Sequence, residues 1–354
     1  MGSIIDNSLY LEDVKYVADL DLPWEKFKDK SILLSGATGL IGSFLVDVIM
    51  LRNREYGMNT RIVALGRKEE TVRERFPYCF DKEWFEFVKQ DLNEPFTLPE
   101  DLKASFVLHL ASNTHPLQYS TDPIGTIMTN VMGTKSMLDV AVGCGAERFL
   151  LASSNEIYGE NRGDAELFDE SYCGYIDCNT MRAGYPEGKR CAEALCQAYI
   201  SARNLDAVIA RLTRSYGPTM KMTDSKALSQ FIKKGLEGED IVLKSEGTQY
   251  YSYAYVADSV SGLLTILLKG ECGAAYNIAD EKSDVRLKEL AAAIAEYAGK
   301  KVIFEIPDAV EAAGYSKATK ARLDGSKLRA IGWNMKYDIK DGVARTMEIL
   351  KQLY

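Results

Sequence analysis

Histidine is nearly absent: the 354 residues hold only two, His109 and His115. The seven cysteines (Cys79, Cys144, Cys173, Cys178, Cys191, Cys196 and Cys272) are odd in number and scattered. Neither Cys173/Cys178 nor Cys191/Cys196 has a metal-site spacing or histidine company. A metal centre is therefore not expected, and reduced thiols are. Basic charge is not in excess, since 43 Lys and Arg face 51 Asp and Glu for a net charge of −8. A nucleic-acid binder normally shows a basic stripe, so that class is set aside. A local basic pocket for a phosphorylated small molecule stays open. No apolar run reaches 18 residues; Ser259–Leu268 is bracketed by Asp258 and Lys269, and no membrane span is expected. The first residues carry early acids and no apolar stretch, so no secretory leader is expected, and Asp6 breaks the myristoylation pattern. What remains is a globular cytoplasmic protein, long enough for one large α/β domain with a companion lobe.

Short apolar runs alternate with helical stretches. Ser31–Ser35, Arg61–Leu65, Ser105–Leu110, Arg148–Ala152 and Ala207–Leu212 read as buried strands, and Tyr185 to about Arg203 as a long helix. That alternation predicts a doubly wound parallel sheet covered by helices on both faces, the Rossmann-type architecture, with a smaller C-terminal α/β lobe over the carboxyl ends of the strands. Residues 1–28 read as a helical extension preceding the fold. Residues 29–212, with about 250–280, form the expected dinucleotide-binding domain, and 213–249 with 281–354 the smaller lobe. The run Tyr250–Tyr255 reads as alternating core and surface.

Gly36-Ala-Thr38-Gly39-Leu40-Ile41-Gly42 follows the first strand and opens a helix. Glycines there permit a tight turn and close backbone approach, while the helix start offers free N–H groups to a pyrophosphate. After the second strand comes Gly66-Arg67-Lys68, with no acid to grip a ribose 2′-hydroxyl. Arg67 could face a 2′-phosphate instead, so NAD and NADP both stay open, with a tilt toward NADP. Asp91, after the strand-like FEFVK, is a candidate adenine-side contact.

Tyr185-Pro-Glu-Gly-Lys189 opens the long helix, and residues four apart share a face. A nearby ammonium favours the ionised phenol, so Tyr185 is the candidate general base, and Lys189 also suits the nicotinamide ribose. Ser154, Asn155 and Glu156 leave the end of a strand where a ligand is expected, and Ser154 can hydrogen-bond the hydroxyl that Tyr185 deprotonates. His109 reads as a satisfied core histidine.

GATGLIG, HLAS, SSNEIYG, YPEGK and RSYGPTM, in that order, resemble the extended short-chain dehydrogenase/reductase family of NAD-dependent nucleotide-sugar epimerases, dehydratases and decarboxylases, over roughly residues 29–354. The segment from Met181 to Tyr199 and the stretch from Tyr216 to Asp224 look most like the UDP-glucuronate decarboxylase branch. The resemblance implies a tightly bound NAD(P), a nucleoside-diphosphate sugar as substrate, and a homodimer built through helices near 124–143 and 187–203. It makes Ser154, Glu156, Tyr185 and Lys189 catalytic. It sets Leu92, Leu110, Ala111 and Ser112 beside the dinucleotide, and Asn155, Arg182, Arg214 and Tyr251 beside the substrate. The implied chemistry is transient oxidation at sugar C4, then loss of a C6 carboxylate or hydroxyl. Asn155 stands where the Asp-Glu dehydratases carry a proton-donating Asp, which tilts the reading to decarboxylation. An epimerase or an oxidoreductase on a nucleotide-activated sugar or polyol is the alternative. A non-catalytic dinucleotide-binding protein is the remote one. Three positions depart from the family pattern. Arg214 replaces an Asn before Tyr-Gly-Pro, Tyr251 replaces a phosphate-binding Arg, and Ala321-Arg322-Leu323-Asp324 replaces Arg-Pro-Asp-Ile. Arg214 is expected to supply from another wall the charge that Tyr251 lacks.

Overall fold

In the computed structural model, residues 3–80, 82–94, 96, 103–112, 121–305 and 320–354 are described. Helix α1 (Ser8–Ala18) leads into β1 (Ser31–Ser35), α2 (Leu40–Tyr56), β2 (Arg61–Gly66), α3 (Glu69–Arg75), β3 (Phe85–Lys89) and β4 (Phe106–His109). The chain continues through α4 (Pro123–Gly143), β5 (Arg148–Ser154), α5 (Gly184–Arg203) and β6 (Ala207–Leu212). Then come β7 (Arg214–Tyr216), α6 (Ala227–Leu236), β8 (Ile241–Leu243), β9 (Tyr250–Tyr255), α7 (Val256–Lys269) and β10 (Ala275–Ile278). The last described elements are β11 (Asp284–Arg286), α8 (Leu287–Ala298), β12 (Val302–Phe304), β13 (Lys320–Ala321), α9 (Ser326–Ala330) and α10 (Ile339–Leu353).

The main sheet runs β10-β6-β5-β4-β1-β2-β3, with every neighbour parallel. Successive side chains of a strand point to opposite faces, and here both faces are buried. Ile32, Leu34, Ile62, Ala64, Leu108 and Leu150 enter one core, shared with α2 and α7. Leu33, Val63, Leu65, Val107, Phe149 and Leu151 enter the other, shared with α4 and α5. Continuous apolar runs are what such a doubly covered sheet requires. The strand order reverses direction at β1, between β4 and β2, and opens the crevice where such sheets receive ligands.

A second sheet centres on β9, flanked by antiparallel β11 and parallel β13, with β7 also pairing in parallel. Thr213 Oγ1 donates to the Ser252 carbonyl at 2.7 Å and ties the two sheets together. The alternation expected along Tyr250–Tyr255 is not found: Tyr251, Ser252, Tyr253, Ala254 and Tyr255 are all buried. The reason is that β9 is packed on both faces, so its tyrosines have no solvent side.

The N-terminal extension also lies against the body of the fold. α1 buries Tyr10, Val14 and Val17. Its Asp13, fully buried, accepts from the hydroxyls of Tyr255 and Tyr337 at 2.6 Å each and pairs with Arg345 Nε at 2.8 Å. Two hydroxyl donors and one ion pair offset part of the desolvation of that carboxylate. Burial still holds its pKa above the ordinary aspartate value. Among the described residues, no helix is long and apolar enough to cross a membrane.

Candidate active site

The carboxyl ends of β1, β2, β4, β5 and β6 open onto one cavity of about 1050 Å³. One drug-sized ligand typically fills ~300–1,000 Å³, so the volume suits two partners side by side. Its floor is the glycine turn. Gly36 has φ +78, and a Cβ there would meet Ala111 N at 2.7 Å and Leu110 C at 2.8 Å. A Cβ on Gly42 would stand 2.2 Å from the Gly36 carbonyl oxygen. Only glycine lets the turn press against the end of β4 and the helix start tuck beneath it. Gly39 is the N-cap of α2 and offers no capping side chain. The first N–H groups of that helix therefore need an outside acceptor, and an anionic pyrophosphate fits. Thr38, Leu40 and Ile41 complete this wall.

Exposed Arg67 and Lys68 stand at the rim after β2, with Asp91 and Leu92 beyond β3. Gly66 places no carboxylate there. Leu110, Ala111 and Ser112, following β4, line the opposite side. A bound nicotinamide dinucleotide would span these groups.

The catalytic candidates meet deeper in. Tyr185 and Lys189 sit in the first turns of α5 and are both buried, at 6% and 2% exposure. The Tyr185 hydroxyl is hydrogen-bonded with the side chains of Ser154 and Ser112. Burial raises the phenol pKa above its ordinary value, the Glu156 carboxylate adds to the rise, and the two serine bonds oppose it. Lys189 Nζ donates to the Ala152 carbonyl at 2.8 Å. Burial depresses its pKa to about 8, against the opposing pull of Glu193 and Cys196. Ser154 closes β5 and accepts from the Glu156 N–H at 3.2 Å, which sets the turn Asn155–Tyr158. Ser112 Oγ donates to Asn130 Oδ1 at 2.8 Å, so α4 holds that hydroxyl. Behind them, Glu193 receives Arg211 through Nε at 3.1 Å and Nη2 at 2.8 Å, and also the Ser153 hydroxyl. Arg190 donates to the Ile157 carbonyl at 2.7 Å. These bonds anchor the turn that carries Asn155 and Glu156.

Arg214, on β7, stacks its guanidinium 3.6 Å from the centroid of the Tyr251 ring. Exposed Arg182 and part-buried Glu156 lie within electrostatic reach of that tyrosine. Every catalytic, cofactor-side and substrate-side candidate named from the sequence thus lines the same cavity. His109 is fully buried as expected, but only half satisfied. Its Nδ1 bonds Ser35 Oγ at 2.8 Å, while Nε2 has no partner among the described residues. Burial, with Lys189 nearby, keeps the ring neutral with a pKa of about 3. The sequence reading gave no site role to Lys221, Lys226, Lys244, Ser229 and Gln249, which line the small-lobe wall. Lys226 and Ser229 share the start of α6, and the others come from separate segments with no common spacing. A scatter of lysines after Pro218 in an acidic chain was the one available signal.

The NAD dependent epimerase/dehydratase family profile matches residues 32–279. UDP-glucuronic acid decarboxylase 1 of Xenopus tropicalis is 31% identical over 325 residues, 91% of this chain and 72% of that protein. UDP-glucuronic acid decarboxylase 5 of Arabidopsis thaliana is 33% identical, covering 88% of this chain and 86% of its own. Among solved structures, dTDP-glucose 4,6-dehydratase from Streptomyces venezuelae, with NAD and TYD bound, aligns with a TM-score of 0.77. It is 22% identical, over 91% of this chain and 97% of that one. UDP-glucuronic acid 4-epimerase from Bacillus cereus, in complex with UDP-glucuronic acid and NAD, aligns with a TM-score of 0.75. It is 21% identical, over 92% of this chain and all of that one. A parallel sheet in this order, a glycine turn at its switch point and a profile match over most of the length lead to one conclusion: the chain belongs to the NAD-dependent epimerase/dehydratase family.

Proposed function

We propose that this chain is an NAD(P)-dependent nucleotide-sugar enzyme that oxidises the sugar transiently at C4, with UDP-glucuronate decarboxylation as the leading reaction and a 4,6-dehydratase-like elimination behind it. The observation that carries the reading is the buried Tyr185 hydroxyl held by Ser154, one helical turn from Lys189 and beside Glu156.

The glycine turn from Gly36 to Gly42, Asp91, Leu92 and the segment Leu110–Ser112 would hold the dinucleotide, with Lys189 at its nicotinamide ribose. When bound, that cofactor supplies hydride acceptance from C4 and hydride return. Arg67 beside Gly66 favours NADP, whereas the S. venezuelae and B. cereus structures carry NAD. Tyr185 takes the O4 proton while Ser154 orients that hydroxyl. A 4-ketone makes a C6 carboxylate a β-keto acid: the C5–C6 bond breaks, carbon dioxide leaves, and its electron pair passes into the enolate. Glu156 is placed to orient the substrate or relay the proton that returns to C5. Asn155 has no proton to give a departing C6 hydroxyl, so elimination lacks its acid there while decarboxylation needs none. Asn155, Arg182, Arg214 and Tyr251 would face the substrate.

The decisive assay is carbon dioxide release from UDP-glucuronate. Tyr185→Phe should lower turnover roughly 10²–10⁴-fold, the usual weight of general acid–base catalysis, with dinucleotide retention unchanged. A mixture of stereoisomers without carbon dioxide would point to the epimerase, and unchanged turnover in the variant would remove Tyr185 as the base. A parent that turns over no sugar nucleotide, with the variant no different, would remove the enzyme reading. We also infer a cytoplasmic homodimer. α4 exposes Ile124, Ile127, Met128 and Met132 beside α5, and all seven cysteines are unpaired, which suits a reducing compartment. A monomeric solution mass would refute the dimer.

A further inference from the structure

We infer that Arg214 is held ready for an oxyanion of the substrate, with the Tyr251 ring as its backing plate, so that this pair sets affinity for the anionic part of the nucleotide sugar. The inference rests on the nucleotide-sugar reading and deepens it.

Three observations converge on it. First, Arg214 Nη1 is buried and has no hydrogen-bond partner among the described residues. A guanidinium carries five N–H donors and is never neutral, so a dry donor without an acceptor is costly unless a ligand completes it. Second, its position is fixed. β7 runs parallel to β9 with Arg214 opposite Tyr253, and the guanidinium lies 3.6 Å from the centroid of the Tyr251 ring two residues away. Stacking occupies one face of the planar group and leaves its edge for in-plane bonds, the geometry that carboxylates and phosphates accept in pairs. Third, no carboxylate of the described residues forms an ion pair with it, although Arg211 and Arg322 nearby in sequence or sheet each have one. The exposed Arg182 guanidinium lines the same cavity, and both it and Arg214 act on Tyr251 together with the Glu156 carboxylate.

Either the diphosphate or a C6 carboxylate of the sugar supplies that chemistry. Titration calorimetry on the dinucleotide-loaded protein distinguishes them, with UDP, UDP-glucose and UDP-glucuronate as probes. Arg214→Gln should weaken binding at least about tenfold, the scale of one charge-assisted bond. An equal loss for all three probes assigns the diphosphate; a loss confined to UDP-glucuronate assigns the carboxylate. Arg214→Lys, which keeps the charge without the fork, should recover part of the loss. Tyr251→Leu should lose affinity because the plate is gone, and Tyr251→Phe, which keeps a ring under the guanidinium, should lose less than Tyr251→Leu does. Thermal melting of each variant checks that it is folded. Parent-like binding of all three probes by Arg214→Gln overturns the inference. Failure of the parent protein to bind any probe removes the nucleotide-sugar reading itself, a different result.

Discussion

Lys189→Met should make the dinucleotide-free protein more stable while abolishing turnover. Lys189 is 2% exposed, and its pKa falls from 10.5 to about 8 because burial disfavours the ammonium. At ~1.4 kcal/mol per pKa unit, holding that charge inside costs roughly 3 kcal/mol. Removing the ammonium also removes its hydrogen bond to the Ala152 carbonyl, a loss of about 1 kcal/mol. The net expectation is a gain of about 2 kcal/mol at neutral pH. The sign with pH follows from proton counting. Below about pH 8 both folded and unfolded chains hold the proton, so the penalty is complete. Between about 8 and 10.5 the unfolded chain binds more protons, and the parent gains stability with rising pH. Above 10.5 the group is neutral in both states. Urea unfolding of parent and variant from pH 7 to 10.5 measures this. The variant should lead at pH 7, and its lead should shrink toward pH 10.5. A variant less stable than the parent at pH 7, or a gap that stays constant over that range, would refute the reasoning that Lys189 is a buried charge kept for catalysis.

Three further substitutions test other parts of the structure. Gly42→Ala forces a Cβ to within 2.2 Å of the Gly36 carbonyl oxygen. Overpacking of ~1–3 kcal/mol should appear as weaker retention of the dinucleotide, measured by mass spectrometry of released small molecules, with far-UV circular dichroism unchanged. Arg67→Asp puts an acid where β2 ends; the ratio of NAD to NADP affinity, from fluorescence titration, should rise at least about tenfold. An unchanged ratio would mean that Arg67 does not meet the adenosine ribose. Asp13→Ala strips the acceptor from Tyr255, Tyr337 and Arg345. It should cost about 3 kcal/mol in urea unfolding, and a cost below about 1 kcal/mol would show that the Asp13 network does not hold α1 to the fold.

Local spacing made much of this protein legible in advance. The strand β6 has the bounds that its apolar run predicts, and α5 begins one residue before Tyr185. The reason is that a period of two or of 3.6 fixes which face a side chain takes, whatever it later meets. Two-sided burial of β9 was not legible, because the same run Tyr250–Tyr255 would suit a half-exposed strand; only its neighbours β7, β11 and β13 place it inside. The N-terminal extension shows the same limit. Nothing local announces that Asp13 meets Tyr255, Tyr337 and Arg345, hundreds of residues away.

The sequence by itself determined the class of sheet, the glycine turn and the shared face of Tyr185 and Lys189, since each depends on residues within one or two turns of chain. Tertiary structure alone decided that Ser112 and Ser154 converge on one phenol, that Lys221, Lys226 and Lys244 face the same cavity, and that Arg214 lies over Tyr251 with a donor to spare. Those contacts join elements distant in sequence. They form because the summed burial of two apolar cores offsets the entropy of closing long loops, a balance no single segment contains.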